Sequence, residues 1–379
     1  MAWAFWTAAL IIGYTYAGYP LLLWGWARLR RRPVSKAAIT PTVSVVLAAH
    51  NEQAAMADKL ENLLTLDYPA DQLTILVGTD GCTDETDAIV ARWAASDPRV
   101  RHYRLPQRVG KPAILNQLIP HAPGEIVILT DARQRFAPDA VRRLVEHFAD
   151  PHVGAVSGEL ILTGEEVSLV GEGLGSYWSY EKFIRRHESA CGSVVGATGA
   201  IYAIRRSLFR PMDPQTLLDD AAIPLSIIQQ RYRTTFEPSA LAFDRMSTSG
   251  PAEFRRKVRT MAGNYQLFVQ FWRLLIPGSG LAWQFWSHKV ARTSIPAWLA
   301  VLFVTSAILP GPWYQAAWLA QLAFYGLAAL GAIAPSAPLI GRPARVAYVF
   351  VLLNASAVVG LIRHLRGDQP VAWERSHAA

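Results

Sequence analysis

Cysteine is almost missing from this chain, with Cys82 and Cys191 the only two among 379 residues. Two cannot build a disulfide framework, and these lack the close pairing of a metal knuckle, so both read as reduced cytoplasmic thiols. Charge is sparse too, at 17% of residues against 51% hydrophobic. The net charge of +8 falls largely beside apolar runs, which suits an anionic membrane leaflet better than nucleic acid. No internal repeat, low-complexity tract or basic groove with stacking aromatics occurs, and a nucleic-acid partner is excluded on that ground.

What the chain has instead is long apolar stretches at both ends. Residues 2–26 carry no charge, and about 20 such residues suffice to cross a bilayer. A cleavable signal would want its basic residues first and a small-residue cleavage site after. Here Arg28, Arg30, Arg31, Arg32 and Lys36 follow the run, so residues 1–27 are expected to be a retained anchor and 28–41 a basic cytosolic linker. Near the other end, 294–309, 313–334 and 346–362 are apolar, with a Pro310-Gly311-Pro312 turn between the first two. These predict a C-terminal membrane region over 291–366 with two to three spans, an interfacial segment over 264–290 and a tail over 367–379. The third run contains Asn354. If it crosses, Arg363, Arg366 and Arg375 land outside against the charge rule, so a re-entrant or interfacial course is the alternative.

Between the apolar ends, short β-rich runs alternate with amphipathic stretches, the pattern of an α/β domain over 42–263. After a first strand beginning at Val43, a helix around 53–66 places Met56, Leu60, Leu63 and Leu64 on one face. Strands follow over 73–77, 100–105 and 125–129, with helices near 85–95 and 112–118. The first strand runs into Ala49-His50-Asn51-Glu52, the second into Thr79-Asp80-Gly81-Cys82-Thr83-Asp84, and the fourth into Asp131-Ala132-Arg133. Acidic and small residues at the carboxyl ends of buried strands are what an open α/β sheet uses to hold a ligand. Asp80 or Glu52 can accept from a base imide or ribose hydroxyls, although Asp80-Gly81 is also an ordinary turn. Asp84 reads as the cap of the helix near 85. Lys111 at a helix start opposes the dipole, which a ligand anion would explain; a solvated lysine is the plainer reading.

These motifs together resemble the family 2 glycosyltransferases of the GT-A fold, especially membrane-anchored bacterial exopolysaccharide and cell-wall enzymes similar to cellulose, hyaluronan and poly-N-acetylglucosamine synthases. The likeness covers about residues 42–263. Val43 to Glu52 resembles the family's first strand and nucleotide loop, Thr79 to Asp84 its Asp-Asp-Gly-Ser-Thr-Asp turn, and Gly110-Lys111 with Leu115-Asn116 its Gly-Lys and Leu-Asn element. Asp131-Ala132-Arg133 stands at its Asp-X-Asp motif, and Leu218-Asp219-Asp220 resembles its Glu-Asp motif. Tyr177-Trp178 and Gly196-Ala197-Thr198-Gly199-Ala200 resemble the acceptor side, where aromatics stack on sugars and glycines admit substrate. Arg255-Arg256-Lys257-Val258-Arg259-Thr260 stands where processive relatives carry Gln-X-X-Arg-Trp.

Two departures matter. Arg133 replaces the motif's second carboxylate, so either Asp131 and substrate oxygens still hold Mg²⁺ or Mn²⁺, or Arg133 partly replaces the metal's charge. Arg256 and Thr260 replace Gln and Trp, which puts processivity in question.

The resemblance implies an α/β GT-A fold, Rossmann-like with a mostly parallel central sheet, in a cytosolic domain between N- and C-terminal transmembrane helices. It implies a multi-pass plasma-membrane inverting enzyme moving a sugar from a nucleotide-sugar, a UDP-sugar by likeness, to a lipid-linked or growing polysaccharide acceptor. Asp220 is expected to be the base, with Asp219 beside it. Ala49, Asn51, Glu52, Asp80, Lys111, Asp131 and Arg133 are expected to bind the donor, with Asp131 the metal ligand. Tyr177, Trp178, Gly199, Arg256 and Arg259 are expected toward acceptor and diphosphate. Membrane lipids and other polysaccharide-synthesis subunits are the expected partners. The alternatives are a polyprenyl-phosphate glycosyltransferase, whose anionic acceptor needs a base less, and a nucleotide-sugar-binding regulatory subunit without catalysis.

Overall fold

The computed structural model describes residues 1–163, 169–245, 250–333 and 341–371, apart from the side chains of 169–177, 245, 250 and 342. The chain starts as α1 (Ala2–Gly13), passes a π-helical turn (Tyr14–Gly18) and continues as α2 (Tyr19–Leu29). It then enters an eight-stranded sheet.

In the first half of the sheet, β1 (Val43–Ala49), β2 (Leu73–Asp80), β3 (Val100–Leu105) and β4 (Ile126–Leu129) are parallel, in the order β3-β2-β1-β4. Strands covered on both faces read as near-continuous apolar runs, and every residue of β1 and β4 is buried. Alternation along β1 assigns the faces. Val43, Val45 and Leu47 pack with Met56, Leu60 and Leu63 of α3 (Gln53–Leu64) and Val90 of α4 (Thr86–Ser96). Val46 and Ala48 pack with Ile114, Leu115 and Leu118 of α5 (Lys111–His121).

The second half is mixed. β5 (Arg135–Phe136) and α6 (Ala140–Val145) lead to β6 (Val153–Thr163), then α7 (Leu169–Cys191), β7 (Tyr202–Arg205), α8 (Asp219–Gln229) and β8 (Arg233–Arg245). β7 is antiparallel to both β4 and β6, β8 is parallel to β6, and β5 closes the edge antiparallel to β8. Four of the seven pairings are parallel, so the expected parallel majority is present but narrow. The reversal at β7 has a consequence for function. Tyr202 pairs with Leu129, so the residues entering β7 arrive at the edge where β4 ends.

Beyond the sheet come α9 (Gly250–Gln270), α10 (Ala282–Gln284), a π turn (Phe285–Val290), α11 (Ala291–Ile308), α12 (Pro312–Ile333) and α13 (Gly341–Arg366). Among the described residues three helices are long and apolar enough to cross a membrane: Ala282–Ile308, Pro312–Ile333 and Pro343–Arg366. The N-terminal helix, expected as an anchor, is not one of them. Tyr14, Thr15, Tyr16, Gly18, Tyr19 and Pro20 dilute its middle, and their polar groups are used in packing. Tyr19 donates to Glu188 of α7 at 2.6 Å, Tyr180 donates to the Tyr16 carbonyl at 3.2 Å, and Trp283 donates to the Tyr14 hydroxyl at 3.0 Å.

The third apolar helix differs from its neighbours. α13 packs along α9 and α7 of the α/β domain as well as along α12. Gly360 lies against Met261 and Ala262, and the Tyr265 hydroxyl reaches the carbonyls of Thr293 and Ala357. Past its end, Arg259 donates to the Val371 carbonyl at 3.3 Å.

Candidate active site

The strand ends of the parallel half are tied to one another by short polar side chains. Asn51 follows β1 in the left-handed region at φ 55, which asparagine tolerates, and its Oδ1 accepts the Thr83 N–H at 2.8 Å. The Glu52 N–H donates to Thr86 Oγ1 at 2.8 Å. Asp84 accepts the Thr86 N–H at 3.0 Å just ahead of α4, whose N-cap position is held by Glu85 and not by Asp84. Ala49 is fully buried at the end of β1.

Asp80 is also fully buried, and its two oxygens accept the N–H groups of Val109 at 2.7 Å and Gly110 at 2.9 Å. Hydrogen bonds to a charged group contribute roughly 1.5–3 kcal/mol each. Gly81, at φ +58, brings β2 so close to this loop that an added Cβ would meet the Arg108 nitrogen at 2.7 Å. Asp80 therefore fastens the loop that delivers Lys111.

Lys111 opens α5, where the helix dipole disfavours an ammonium. Two carboxylates offset this: its Nζ lies 2.7 Å from Asp131 Oδ1 and 3.1 Å from Asp219 Oδ2. Burial works to lower its pKa, but Asp131 and Asp219 outweigh burial and hold it above the ordinary lysine range. For Asp131, burial works upward and is outweighed by Lys111, with Arg133 and Lys59 adding, so its carboxyl sits below the usual value. Its side chain is 41% exposed, open enough to meet a ligand.

Lys111 thus joins strand β4's end to the start of α8. There Asp220 Oδ2 accepts the Gly199 N–H at 3.0 Å, and its carbonyl accepts the Ala197 N–H at 2.9 Å. A Cβ at Gly199 would sit 3.2 Å from Asp220 Oδ2, so a larger residue there would crowd the carboxylate. Burial, then the Asp219 charge, with Asp131 adding against Lys111, pushes the Asp220 pKa up to about 6. A carboxyl with that value is poised to take a proton near neutral pH. Asp219 is buried, and its Oδ2 faces the Lys111 ammonium.

Among the described residues no three His, Cys, Asp or Glu side chains gather as a metal group. Yet Asp131 and Asp219 converge on one ammonium, with an oxygen of each within 3.1 Å of Lys111 Nζ. That pair suits a hard divalent cation whose remaining oxygens come from a donor diphosphate.

Of the residues expected toward the acceptor, Gly199 joins this site. Trp178 lies under α13, packed with Val349, and its ring centroid is 5.9 Å from Lys257 Nζ. Tyr177 lies within α7, its side chain outside the described residues. Arg256 is half exposed and pairs with Glu253 at 2.6 Å one turn earlier, while Arg259 is engaged with Val371.

Sequence reasoning passed over two residues. Tyr202 is fully buried on β7, and burial followed by the charges of Asp219 and Asp220 holds its phenol well above the ordinary pKa. Lys59 is 1% exposed on α3. It fills the middle of the Met56, Leu60, Leu63 stripe, and a lysine in that slot was the available signal.

Residues 44–212 match the model of the family described as glycosyl transferase family 2. Among curated proteins, the chain is 24% identical over 238 residues to a beta-monoglucosyldiacylglycerol synthase of Synechocystis sp., covering 62% of this chain and 50% of the relative. It is 25% identical over 235 residues to a poly-beta-1,6-N-acetyl-D-glucosamine synthase of Staphylococcus epidermidis, covering 61% and 56%. The chain spans about half the length of these curated relatives. A solved mannosyltransferase from Pyrobaculum calidifontis, in complex with GDP-Man and Mn²⁺, superposes with TM-score 0.73 at 23% identity, covering 95% of this chain and 98% of that one. Residues 44–212 thus resemble the glycosyl transferase family 2 domain, and the chain has a GT-A-like fold.

Proposed function

We propose that the protein is a membrane-bound inverting glycosyltransferase. It moves a sugar from a nucleotide-sugar, a UDP-sugar by family likeness, to a hydroxyl of a lipid-linked or growing polysaccharide acceptor. The observation that carries this reading is Asp220, half-buried, oriented by the Gly199 N–H and set beside the Lys111-bridged pair Asp131 and Asp219. Asp220 removes the acceptor hydroxyl proton while that oxygen bonds the anomeric carbon and the bond to the diphosphate breaks. One such displacement inverts the centre. Lys111 and Arg133 supply fixed positive charge where the leaving diphosphate develops its own. Asp131 and Asp219 are the residues that would hold Mg²⁺ or Mn²⁺, which when bound adds further charge neutralisation.

The similar proteins divide between a beta-monoglucosyldiacylglycerol synthase and a poly-beta-1,6-N-acetyl-D-glucosamine synthase. Both acceptors are hydroxyls, which favours an enzyme with a base over transfer to a polyprenyl phosphate. The apolar helices α11 and α12 support placement in the plasma membrane, and the basic Arg28 to Arg32 flank beside the apolar N-terminal helix supports a cytoplasmic α/β domain. α13, also long and apolar enough to cross, packs on α7 and α9 as well as on α12.

The test is to incubate membranes containing the full chain with a panel of nucleotide sugars and lipid or glycan acceptors, and to measure released nucleoside diphosphate. Acceptor-dependent release from one donor is expected. No release from any pairing would leave the nucleotide-sugar-binding regulatory reading in its place.

A further inference from the structure

We infer that Lys59 is a positioning residue that sets the donor carboxylate and the base carboxylate relative to each other, through the hydroxyl of Thr130. The inference rests on the transferase reading above but concerns a residue outside the motifs that suggested it.

The geometry is specific. Lys59 Nζ donates to Thr130 Oγ1 at 2.9 Å and to the Gln134 carbonyl at 2.7 Å, and lies 4.2 Å from the centroid of the Phe136 ring. Its three partners therefore flank the turn that carries Asp131 and Arg133 at both ends. An ammonium only donates, so Thr130 Oγ1 must accept from Lys59 and turn its own proton outward. The nearest acceptor for that proton is the Ala200 carbonyl at 2.8 Å. Ala200 follows Gly199, whose N–H orients Asp220. A continuous path thus runs from Lys59 through Thr130 and the 199–200 turn to the base.

Why this residue is a lysine also needs an answer. Its neighbours in the stripe, Met56, Leu60 and Leu63, fill the same layer with apolar atoms. Burying an ammonium costs several kcal/mol before compensation, and here burial pulls the pKa down to about 7 against the attraction of Asp131 and Asp244. Asp244 is itself held by Gln134 Nε2 at 2.7 Å. A leucine or methionine would pack the layer without that cost, but would leave the Thr130 rotor and the Gln134 carbonyl without a donor.

The experiment compares the full-length wild type with Lys59→Met, Lys59→Arg and Thr130→Val. Donor KM and kcat are measured, with turnover expressed per nucleoside-diphosphate-binding site titrated on the same preparation, so that an unfolded fraction does not count. Misplacing catalytic groups by about 1 Å costs on the order of 100-fold. Lys59→Met is accordingly expected to lose about 10- to 100-fold in kcat per site with UDP affinity changed less than about 3-fold, Lys59→Arg to recover part of this, and Thr130→Val to lose about 10-fold. A Lys59→Met protein whose kcat per site stays within about 3-fold of wild type, whatever its melting temperature, overturns the inference. If Lys59→Met does not fold, Thr130→Val decides: a loss supports the path and an unchanged kcat overturns it. A wild type that releases no nucleoside diphosphate refutes the transferase reading itself, which an active wild type matched by its variants does not.

Discussion

Asp80 and Asp131 stand at the ends of two parallel strands of one sheet, and the molecule uses them differently. Asp80 is sealed, with both oxygens on the backbone N–H groups of Val109 and Gly110. Asp131 is open and answered by side-chain cations, Lys111 directly and Arg133 at longer range. Backbone donors fix a loop permanently, whereas an ammonium on a side chain can be shared with an incoming anion. The same residue type at equivalent places in the fold is thus a fastener in one and a half-exposed, ion-paired carboxylate in the other.

Breaking the open side should cost most. Lys111→Met leaves Asp131 and Asp219 facing each other without a cation between them, and like charges at a shared site raise a carboxyl pKa. Loss of a charge-assisted contact to phosphate together with that repulsion predicts about a 100-fold drop in kcat/KM for the donor, read by steady-state kinetics. A drop confined to melting temperature would place Lys111 on the structural side with Asp80. Stripping divalent metal with EDTA should lower turnover, and Mg²⁺ or Mn²⁺ should restore it. Full activity after stripping would mean that Lys111 and Arg133 answer the diphosphate alone.

The pH profile sharpens the comparison further. Because the Asp220 pKa is raised to about 6, the base is ionised above that value and protonated below it. The logarithm of kcat/KM should therefore fall with unit slope as pH drops through about 6. A flat profile down to the ordinary aspartate range would argue against Asp220. The smallest effect on catalysis is expected from Asp80→Asn. One oxygen becomes an amide and at least one loop contact is lost, so thermal stability should fall by about 1–3 kcal/mol with little change in donor KM once the protein is folded. A large KM effect without destabilisation would return Asp80 to the nucleotide side.

These contrasts also show what could be read from the chain beforehand. The four parallel strands, the helices between them and the carboxylate-bearing turns follow from apolar runs, the Asp80-Gly81 turn and a 3.6-residue stripe, all local signals. The junction of Lys111 with Asp219 is not local, since it requires β7 to reverse beside β4 and deliver the 196–200 turn to the same edge. The role of Lys59 depends on Thr130, 71 positions away, although its place within an apolar stripe marked it. The N-terminal helix reads as a span from its length and lack of charge. Its tyrosines also bond α7 and the start of Ala282–Ile308, contacts that composition alone does not reveal. Arg256, read by alignment to a motif, pairs with its neighbour Glu253 on the same helix face, a local contact the motif does not reveal.

The central claim, that Asp220 is the base of a site whose donor half is separately anchored, is tested most directly by one paired measurement. Nucleoside-diphosphate affinity and acceptor-dependent turnover would be determined on the same preparations of wild type and Asp220→Asn. The account predicts matched affinity with turnover lower by about 100- to 10,000-fold, the range a general base contributes. Matched affinity with turnover near that of the wild type would contradict it.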